Sequence, residues 1–366
     1  MQRKSNLILT LDAGGTNLNF SAVKEGRLLP NSFSYPTNAH NLNSCLNSIK
    51  SGFKDLISSL EDEPYAISIA FPGPADYENG VIGDLPNLPA FKNGVPLASI
   101  LENIFSIPVF INNDGDLFAL GESKDGLLSE VNHLLKEIGS SKIYKNLIGI
   151  TLGTGFGVGL SINGIMLNGD NSAAAEGWLL RNKHYSYSNI EDTVSIQAIK
   201  AMYAHQIAVD PSKAPEPSEI YEIAIGKKEG VREAAIETYL RYGDALGDAI
   251  ASIITLFDGI VAIGGGISGA YPLFARSMFD ELNGFFTRLN GSKQKRLTQR
   301  VFNFENEFER KQFLADTSLK IDIPNSNRKV LFHKEKKTIL GLSRLGTDKA
   351  IALGAYYFAI GKLSDE

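Results

Sequence analysis

Two glycine-rich turns, each lying between apolar runs typical of strands, constrain this fold more than any other feature. The first turn, 14–16, follows the apolar run 7–11 and is followed by residues that alternate between apolar and polar. The second turn, 153–159, follows the apolar run 147–152 and leads into another strand. A strand, a glycine turn and a second strand predict a hairpin. Because the same unit occurs twice, the sequence predicts two structurally related halves.

The rest of the chain alternates apolar runs with segments of helical periodicity. Apolar spacing predicts helices over 43–60, 233–257, 271–289 and 349–358, a helix beginning near 116–122, and strands over 65–71, 109–112 and 259–263. Such alternation is typical of an α/β protein in which helices pack on mixed sheets. The stretch 290–342 is instead polar and rich in charge, which predicts a solvated insertion.

The composition excludes several classes of protein. The 36 Lys and Arg against 41 Asp and Glu give a net charge of −5, so neither nucleic acid nor an anionic membrane is an expected partner. The one cysteine, Cys45, can form neither an internal disulfide nor a cysteine-rich zinc site. No apolar stretch reaches the about 18 residues of a membrane span, and the run 7–11 is too short for a signal peptide. We therefore expect a cytoplasmic protein, and its 366 residues predict two domains.

The glycine turns suit the binding of phosphate. Backbone N–H groups without a neighbouring Cβ can cradle phosphate oxygens, although glycine also serves any tight turn. A third turn, 264–266, again follows a strand and precedes a helix. None of the three has the Gly-Lys-Ser/Thr of a P-loop, and the first lacks the GxGxxG spacing of dinucleotide folds. Nucleotide binding is therefore indicated, and hydride transfer is disfavoured.

Several polar residues beside these turns could carry chemistry. Asp12, at the end of a strand, would repel phosphate unless a cation lay between them, so it is a candidate Mg²⁺ ligand or else a turn cap. Asn113 and Asp114 follow a strand and could bind a polyol, with Asp114 as general base, or could simply cap a helix. Glu176 and Glu191 could accept hydrogen bonds from sugar hydroxyls or be surface carboxylates.

Six motifs occur in the order seen in ROK-family sugar kinases, which belong to the actin/hexokinase-like ATPase superfamily. They are LDAGGTN, FPGP, PNLPAFKNGVPL, INNDGDLFALGE, TLGTGFGVGL and IVAIGGGIS. The resemblance implies an α/β protein with the two-domain actin-like, or ribonuclease H-like, fold and a cleft between the domains. It places a smaller domain at 1–115 with about 345–366, and a larger one at 116–344 that includes a polar insertion at about 290–342.

The resemblance also implies a role for each matching residue. ATP would bind at Asp12, Gly14, Gly15, Thr16, Asn17, Gly153, Thr154, Gly155, Gly264, Gly265 and Gly266. The sugar would bind at Asn87, Asn113, Asp114, Glu176 and, by a looser match, Glu191. Asp12 would hold Mg²⁺, directly or through water. Asp114 would be the base that deprotonates the 6-hydroxyl of a hexose while the γ-phosphoryl group of ATP is transferred to it.

One departure from the family pattern leaves the sugar open. ROK proteins often carry Glu-x-Gly-His followed by a cysteine zinc loop, whereas this chain reads Glu176-Gly177-Trp178-Leu179 and has no cysteine there. We therefore expect no structural zinc. Glucose is the first expectation, and N-acetylglucosamine, N-acetylmannosamine and fructose are alternatives. A non-catalytic sugar sensor is a further alternative, a DNA-binding repressor is disfavoured because the first loop starts at Asp12, and a homodimer would be common for the family.

Overall fold

A computed structural model describes residues 6–83, 85, 88–315 and 317–365. Its strands are β1 (Leu7–Ala13), β2 (Asn17–Lys24), β3 (Arg27–Pro36), β4 (Ala66–Ala70), β5 (Val109–Asn112), β6 (Asn146–Leu152), β7 (Phe156–Ile162), β8 (Ile165–Met166), β9 (Ile260–Gly264), β10 (Phe285–Thr287), β11 (Lys293–Lys295), β12 (Arg300–Asn303), β13 (Ser318–Asp322), β14 (Lys329–His333) and β15 (Lys337–Leu342). Its helices are α1 (Leu42–Ser58), α2 (Leu97–Phe105), α3 (Asp114–Lys124), α4 (Leu127–Glu137), α5 (Ile196–Gln206), α6 (Pro217–Ala224), α7 (Arg232–Phe257), α8 (Tyr271–Leu282), α9 (Glu307–Leu314) and α10 (Thr347–Asp365). None of the described helices is long and apolar enough to cross a membrane.

The chain divides into two compact units. The first contains the chain up to Ser129, Val158–Ala175 and the chain from Ser343, and the second contains Glu130–Gly157 and Glu176–Leu342. These units differ in extent from the expected domains, because residues 116–129 and 158–175 group with the first unit. The domain boundaries of 1–115 with 345–366 and of 116–344 stay a prediction.

The first unit is built on a five-stranded sheet in the order β3-β2-β1-β4-β5. The predicted hairpin is confirmed, since β1 and β2 pair antiparallel around the turn 14–16, while β4 runs parallel to β1 and β5 runs parallel to β4. Leu9 and Leu11 face one core together with Phe53 of α1, and Phe53 packs edge-to-face on Phe20 with ring centroids 5.0 Å apart. The side chain of Ile8 faces the opposite side of the sheet and packs with residues of α10.

The second unit contains four parallel neighbouring strands in the order β12-β15-β9-β6. This arrangement corrects the expectation of a solvated insertion at 290–342, because β12 and β15 bury Val301, Phe302, Ile339 and Leu340 in this sheet. In the sequence, β12 and β15 are indicated only by short apolar runs within the charged stretch. The hairpin β13–β14 fits the expectation better, since large apolar side chains on both of its strands are exposed.

The helix predicted over 271–289 is shorter than expected. It ends at Leu282, and residues 285–287 form β10, which pairs with β11. A Cβ at Gly284 would lie 2.8 Å from the carbonyl oxygen of Asp280, so the chain leaves the helix through a residue without a side chain. The apolar Phe285 and Phe286 continued the helical pattern in the sequence, although both are exposed in the structure.

Candidate active site

The ends of three parallel strands bring the first group of polar residues together. Asp12 of β1 is in register with Ala70 of β4, and Ala70 is in register with Asn112 of β5. Asn113 and Asp114 follow β5 directly, and α3 begins at Asp114. Ligands of open α/β sheets bind at the carboxyl ends of the strands, so this edge of the first unit is the candidate site.

Local hydrogen bonds hold Asn113 and Asp114 at the start of α3. The side-chain oxygens of Asn113 and Asp114 each accept from the backbone N–H of Gly115, at 2.8 Å. Asn113 Nδ2 donates to the hydroxyl of Tyr77 at 3.3 Å, and that hydroxyl donates to the carbonyl oxygen of Phe71 at 2.9 Å. Sequence reasoning missed Tyr77, which lies beyond the FPGP motif and has no signature of its own.

The pKa of Asp114 is raised, because the surrounding protein removes the carboxyl from water. The backbone N–H of Gly115 opposes that shift in pKa by stabilising the carboxylate. A carboxylate of raised pKa accepts a proton more readily than one in water. The arrangement therefore suits a general base as well as a helix cap.

Asp12 has a pKa raised from 3.8 to about 7, first by burial and then by the carboxylates of Asp114 and Asp348. Asp348 lies in the first turn of α10 and was not found from the sequence. Negative charge concentrated here favours a cation. The described residues contain no cluster of three or more His, Cys, Asp or Glu able to hold a metal. Asp12 fits Mg²⁺, which proteins hold through one or two carboxylates with water and phosphate oxygens.

The first glycine turn presents its backbone to solvent. Gly14 N–H donates to the carbonyl oxygen of Asn17 at 2.9 Å, and Thr37 Oγ1 donates to the carbonyl oxygen of Gly14 at 2.7 Å. The backbone N–H of Thr37 also donates to the carbonyl oxygen of Thr16 at 2.9 Å. Residues 15–17 are exposed, and a Cβ at Gly15 would meet no atom within 4 Å. Thr37 therefore holds the turn through its carbonyl oxygens, and the exposed residues of the turn are accessible to an anion.

In the second unit, the third turn lies beside the end of β6, where residues 153–155 of the second turn begin. Gly265, with φ +88°, follows the last residue of β9, Gly264, and a Cβ on it would lie 2.2 Å from the carbonyl oxygen of Leu152 in β6. Only glycine allows this approach. Gly266 has open space beside it, and Thr154 is exposed. Gly153 N–H donates to the carbonyl oxygen of Gly155 at 3.1 Å, which closes the second turn.

Glu191 and Glu176 belong to one loop of the second unit. Glu191 Oε2 accepts from the backbone N–H of Phe156 at 2.9 Å, so Glu191 lies against the second glycine turn. Glu176 Oε2 accepts from the indole N–H of Trp178. The fifth residue expected to bind sugar, Asn87, lies outside the described residues.

Asn182 organises the loop that contains Glu176 and Glu191. Its Nδ2 donates to Thr193 Oγ1 at 2.7 Å and to the carbonyl oxygen of Asn189 at 2.9 Å. Its Oδ1 accepts from the backbone N–H of His184 at 2.9 Å, and the side chain is 2% exposed. Hydrogen bonds of the Asn182 side-chain amide therefore connect the two ends of this loop segment.

A family model described as the ROK family matches residues 8–303 of this chain. The chain belongs to the ROK family. The crystal structure of glucokinase from Parabacteroides distasonis is 44% identical to this ROK protein, with a TM-score of 0.87 and 99% of both chains covered. The predicted two-domain, actin-like ATPase fold is thereby confirmed.

Two further relatives differ in the sugar they are named for. A glucokinase from Thermotoga maritima is 31% identical over 229 residues, which cover 58% of this ROK protein and 67% of the relative. An N-acetyl-D-glucosamine kinase from Vibrio cholerae is 26% identical over 287 residues, covering 73% and 86% respectively. The relatives therefore share a class of reaction and differ in the substrate.

Proposed function

We propose that this ROK protein is a cytoplasmic, ATP-dependent glucokinase that phosphorylates the 6-hydroxyl of glucose. Its family and its relatives make it a sugar phosphotransferase. The position of the catalytic group is supported by one observation. Asp12, near the end of β1, and Asp114, directly after β5, lie at the same edge of the sheet with β4 between their strands, and the exposed first glycine turn follows β1. The glucokinase that is 44% identical over nearly the whole chain supports glucose as the acceptor.

In this proposal Asp114 accepts the proton of the sugar hydroxyl as its oxygen forms a bond to the γ-phosphorus and the bond to ADP breaks. The raised pKa of Asp114 favours this proton transfer. Asn113, held by Tyr77, orients the sugar. The open N–H groups of the first glycine turn bind phosphate oxygens. Asp12 would hold Mg²⁺, which would supply neutralisation of phosphate charge. Positioning and charge stabilisation supply most of the acceleration in such reactions.

N-acetylglucosamine is the second candidate acceptor, since a relative 26% identical is named an N-acetyl-D-glucosamine kinase. N-acetylmannosamine and fructose complete the set of alternatives. ADP release with ATP and Mg²⁺ should be measured against glucose, mannose, fructose and the two N-acetylhexosamines. The proposal requires the highest kcat/KM with glucose, and a preference for any other sugar would replace it.

The Asp114→Asn variant tests the base. It should keep the fold and the KM for sugar within a few-fold, while kcat falls by about 10²–10⁴-fold. Asp280→Asn, a change at an exposed carboxyl of α8, is the matched control and should leave kcat unchanged. An Asp114→Asn enzyme with the wild-type kcat would remove Asp114 from the catalytic role. If no sugar is turned over while sugar still binds, the protein is a sensor.

A further inference from the structure

Trp178 is the only tryptophan of the chain, and it lies two residues after a candidate sugar-binding carboxylate. Its indole N–H donates to Glu176 Oε2. Within the described part of the chain, Glu176 Oε1 receives no hydrogen bond. We propose that Trp178 is a positioning and specificity-determining residue that presents Glu176 Oε1 to a sugar hydroxyl and selects an unsubstituted hexose. The inference rests on the proposed function and deepens it.

The backbone around Trp178 fixes where the indole can reach. Residues Gly177–Leu179 form one turn of 3₁₀ helix, in which the N–H of Leu179 donates to the carbonyl oxygen of Glu176 at 3.1 Å. Ala175, just before it, has φ +61°. A non-glycine residue in this left-handed region is strained and persists only where its surroundings hold it. The turn therefore holds the indole and the carboxylate close together.

The chain after the turn is anchored as well. The N–H of Ile190 donates to the carbonyl oxygen of Leu180 at 2.7 Å, and Arg181 forms an antiparallel bridge with Asn189. The buried amide of Asn182 cross-links the same segment. Trp178 therefore lies on an ordered loop. A residue can position a carboxylate accurately only if its own backbone is held in place.

The hydrogen bond to Glu176 and the bulk of the indole have separable effects. An N–H donor on one oxygen orients the carboxylate and leaves the other oxygen to accept from a hydroxyl. In this proposal the bulk of the bicyclic ring also excludes an N-acetyl group, which a smaller side chain would admit. Trp178→Phe keeps an aromatic ring and removes the donor, whereas Trp178→His keeps a donor and removes bulk. The two variants therefore test the hydrogen bond and the bulk of the indole separately.

Steady-state kinetics with glucose and N-acetylglucosamine test both roles. Trp178→Phe should raise the KM for glucose about 10-fold or more and change kcat by less than 3-fold, as expected when a hydrogen bond to a charged group is lost. Trp178→His should keep the wild-type KM for glucose. It should raise the kcat/KM for N-acetylglucosamine relative to that for glucose about 10-fold. Tyr187→Phe, in the same loop with a side chain 88% exposed, is the matched control and should change neither value.

Two outcomes would overturn the inference. A folded Trp178→Phe enzyme with an unchanged glucose KM excludes positioning, and a Trp178→His enzyme with unchanged sugar preference excludes selection. Circular dichroism and thermal melting verify that each variant is folded.

Tryptophan fluorescence gives a readout independent of turnover, because all of the signal comes from Trp178. Saturating glucose without nucleotide should shift the emission and protect it from iodide quenching, and Glu176→Gln should abolish the response. A sugar that is phosphorylated without any change in emission contradicts the role of Trp178. An emission response with no phosphorylation of any sugar contradicts the proposed kinase instead, and leaves the positioning of Glu176 intact.

Discussion

At the scale of single residues, the site is organised around carboxylates kept close together and partly away from water. The pKa of Asp12 rises to about 7 because of burial and the charges of Asp114 and Asp348. An ionised Asp12 is therefore unfavourable in the protein without a bound cation. A cation relieves this repulsion.

Asp12→Asn should reveal the raised pKa of Asp12 as a change in how stability depends on pH. Since the carboxyl pKa is raised from 3.8 to about 7, the folded state holds a proton that the unfolded state loses between those values. Wild-type stability therefore falls as pH rises through this window, and the amide variant escapes the loss. Its stability advantage should widen by roughly 2–3 kcal/mol between pH 5 and pH 8.

Urea unfolding without Mg²⁺ or nucleotide measures this difference. Asp280→Asn, at an exposed carboxyl, should show no widening over the same pH range. An advantage of Asp12→Asn that stays constant or shrinks as the pH rises would contradict a raised pKa for Asp12.

At the scale of elements, α3 and α10 of the first unit pack backbone to backbone. A Cβ at Gly354 would lie 1.8 Å from the carbonyl oxygen of Leu117, and one at Gly121 would lie 2.0 Å from that of Ala350. Two helices therefore meet where each contributes a glycine. This contact matters for the site because Asp114 begins α3 and Asp348 lies in the first turn of α10.

Gly354→Ala should destabilise the protein despite the higher helix propensity of alanine. The clash with the Leu117 carbonyl forces the helices apart, at a cost of about 1–3 kcal/mol. Gly361→Ala in the same helix is the matched control, since a Cβ there meets no atom within 4 Å. It should stabilise by about 0.5–1 kcal/mol through propensity alone. Thermal and urea unfolding distinguish the opposite signs, and equal effects would contradict the close packing.

At the scale of the whole molecule, metal should be needed for turnover and not for folding. The loop of Glu176 and Glu191 is cross-linked by Asn182, and the described residues contain no cluster of metal-binding side chains. EDTA should therefore abolish phosphorylation, and added Mg²⁺ should restore it, while the Tm shifts by less than about 2 °C. Loss of a structural zinc would instead remove folding free energy. A large fall in Tm with EDTA, or one zinc per chain by elemental analysis, would contradict this prediction.

Much of the architecture was predictable because its signals are local. The hairpin around the turn 14–16 was predictable from its glycines and the apolar residues beside them, and the strand Val109–Asn112 from its apolar run. Residues that are close in sequence determine both elements. The same reasoning extended α8 too far and missed the buried strands β12 and β15. The exposed Phe285 and Phe286 fitted the apolar spacing of a helix beyond the end of α8. The apolar runs of β12 and β15 are short and lie among charged residues, so they gave no clear strand pattern.

The sequence by itself determined the family, the glycine turns and the residue types of the candidate site. Strand register and packing between distant segments decided the rest. They brought Asp348 to Asp12, Tyr77 to Asn113, Thr37 to the first turn and Glu191 to the second. The sequence identified Trp178 as a departure from the family pattern, and the fold of its loop placed the indole N–H on Glu176. Motifs encode local backbone geometry, whereas contacts across tens or hundreds of residues exist only once sheets and helices have packed.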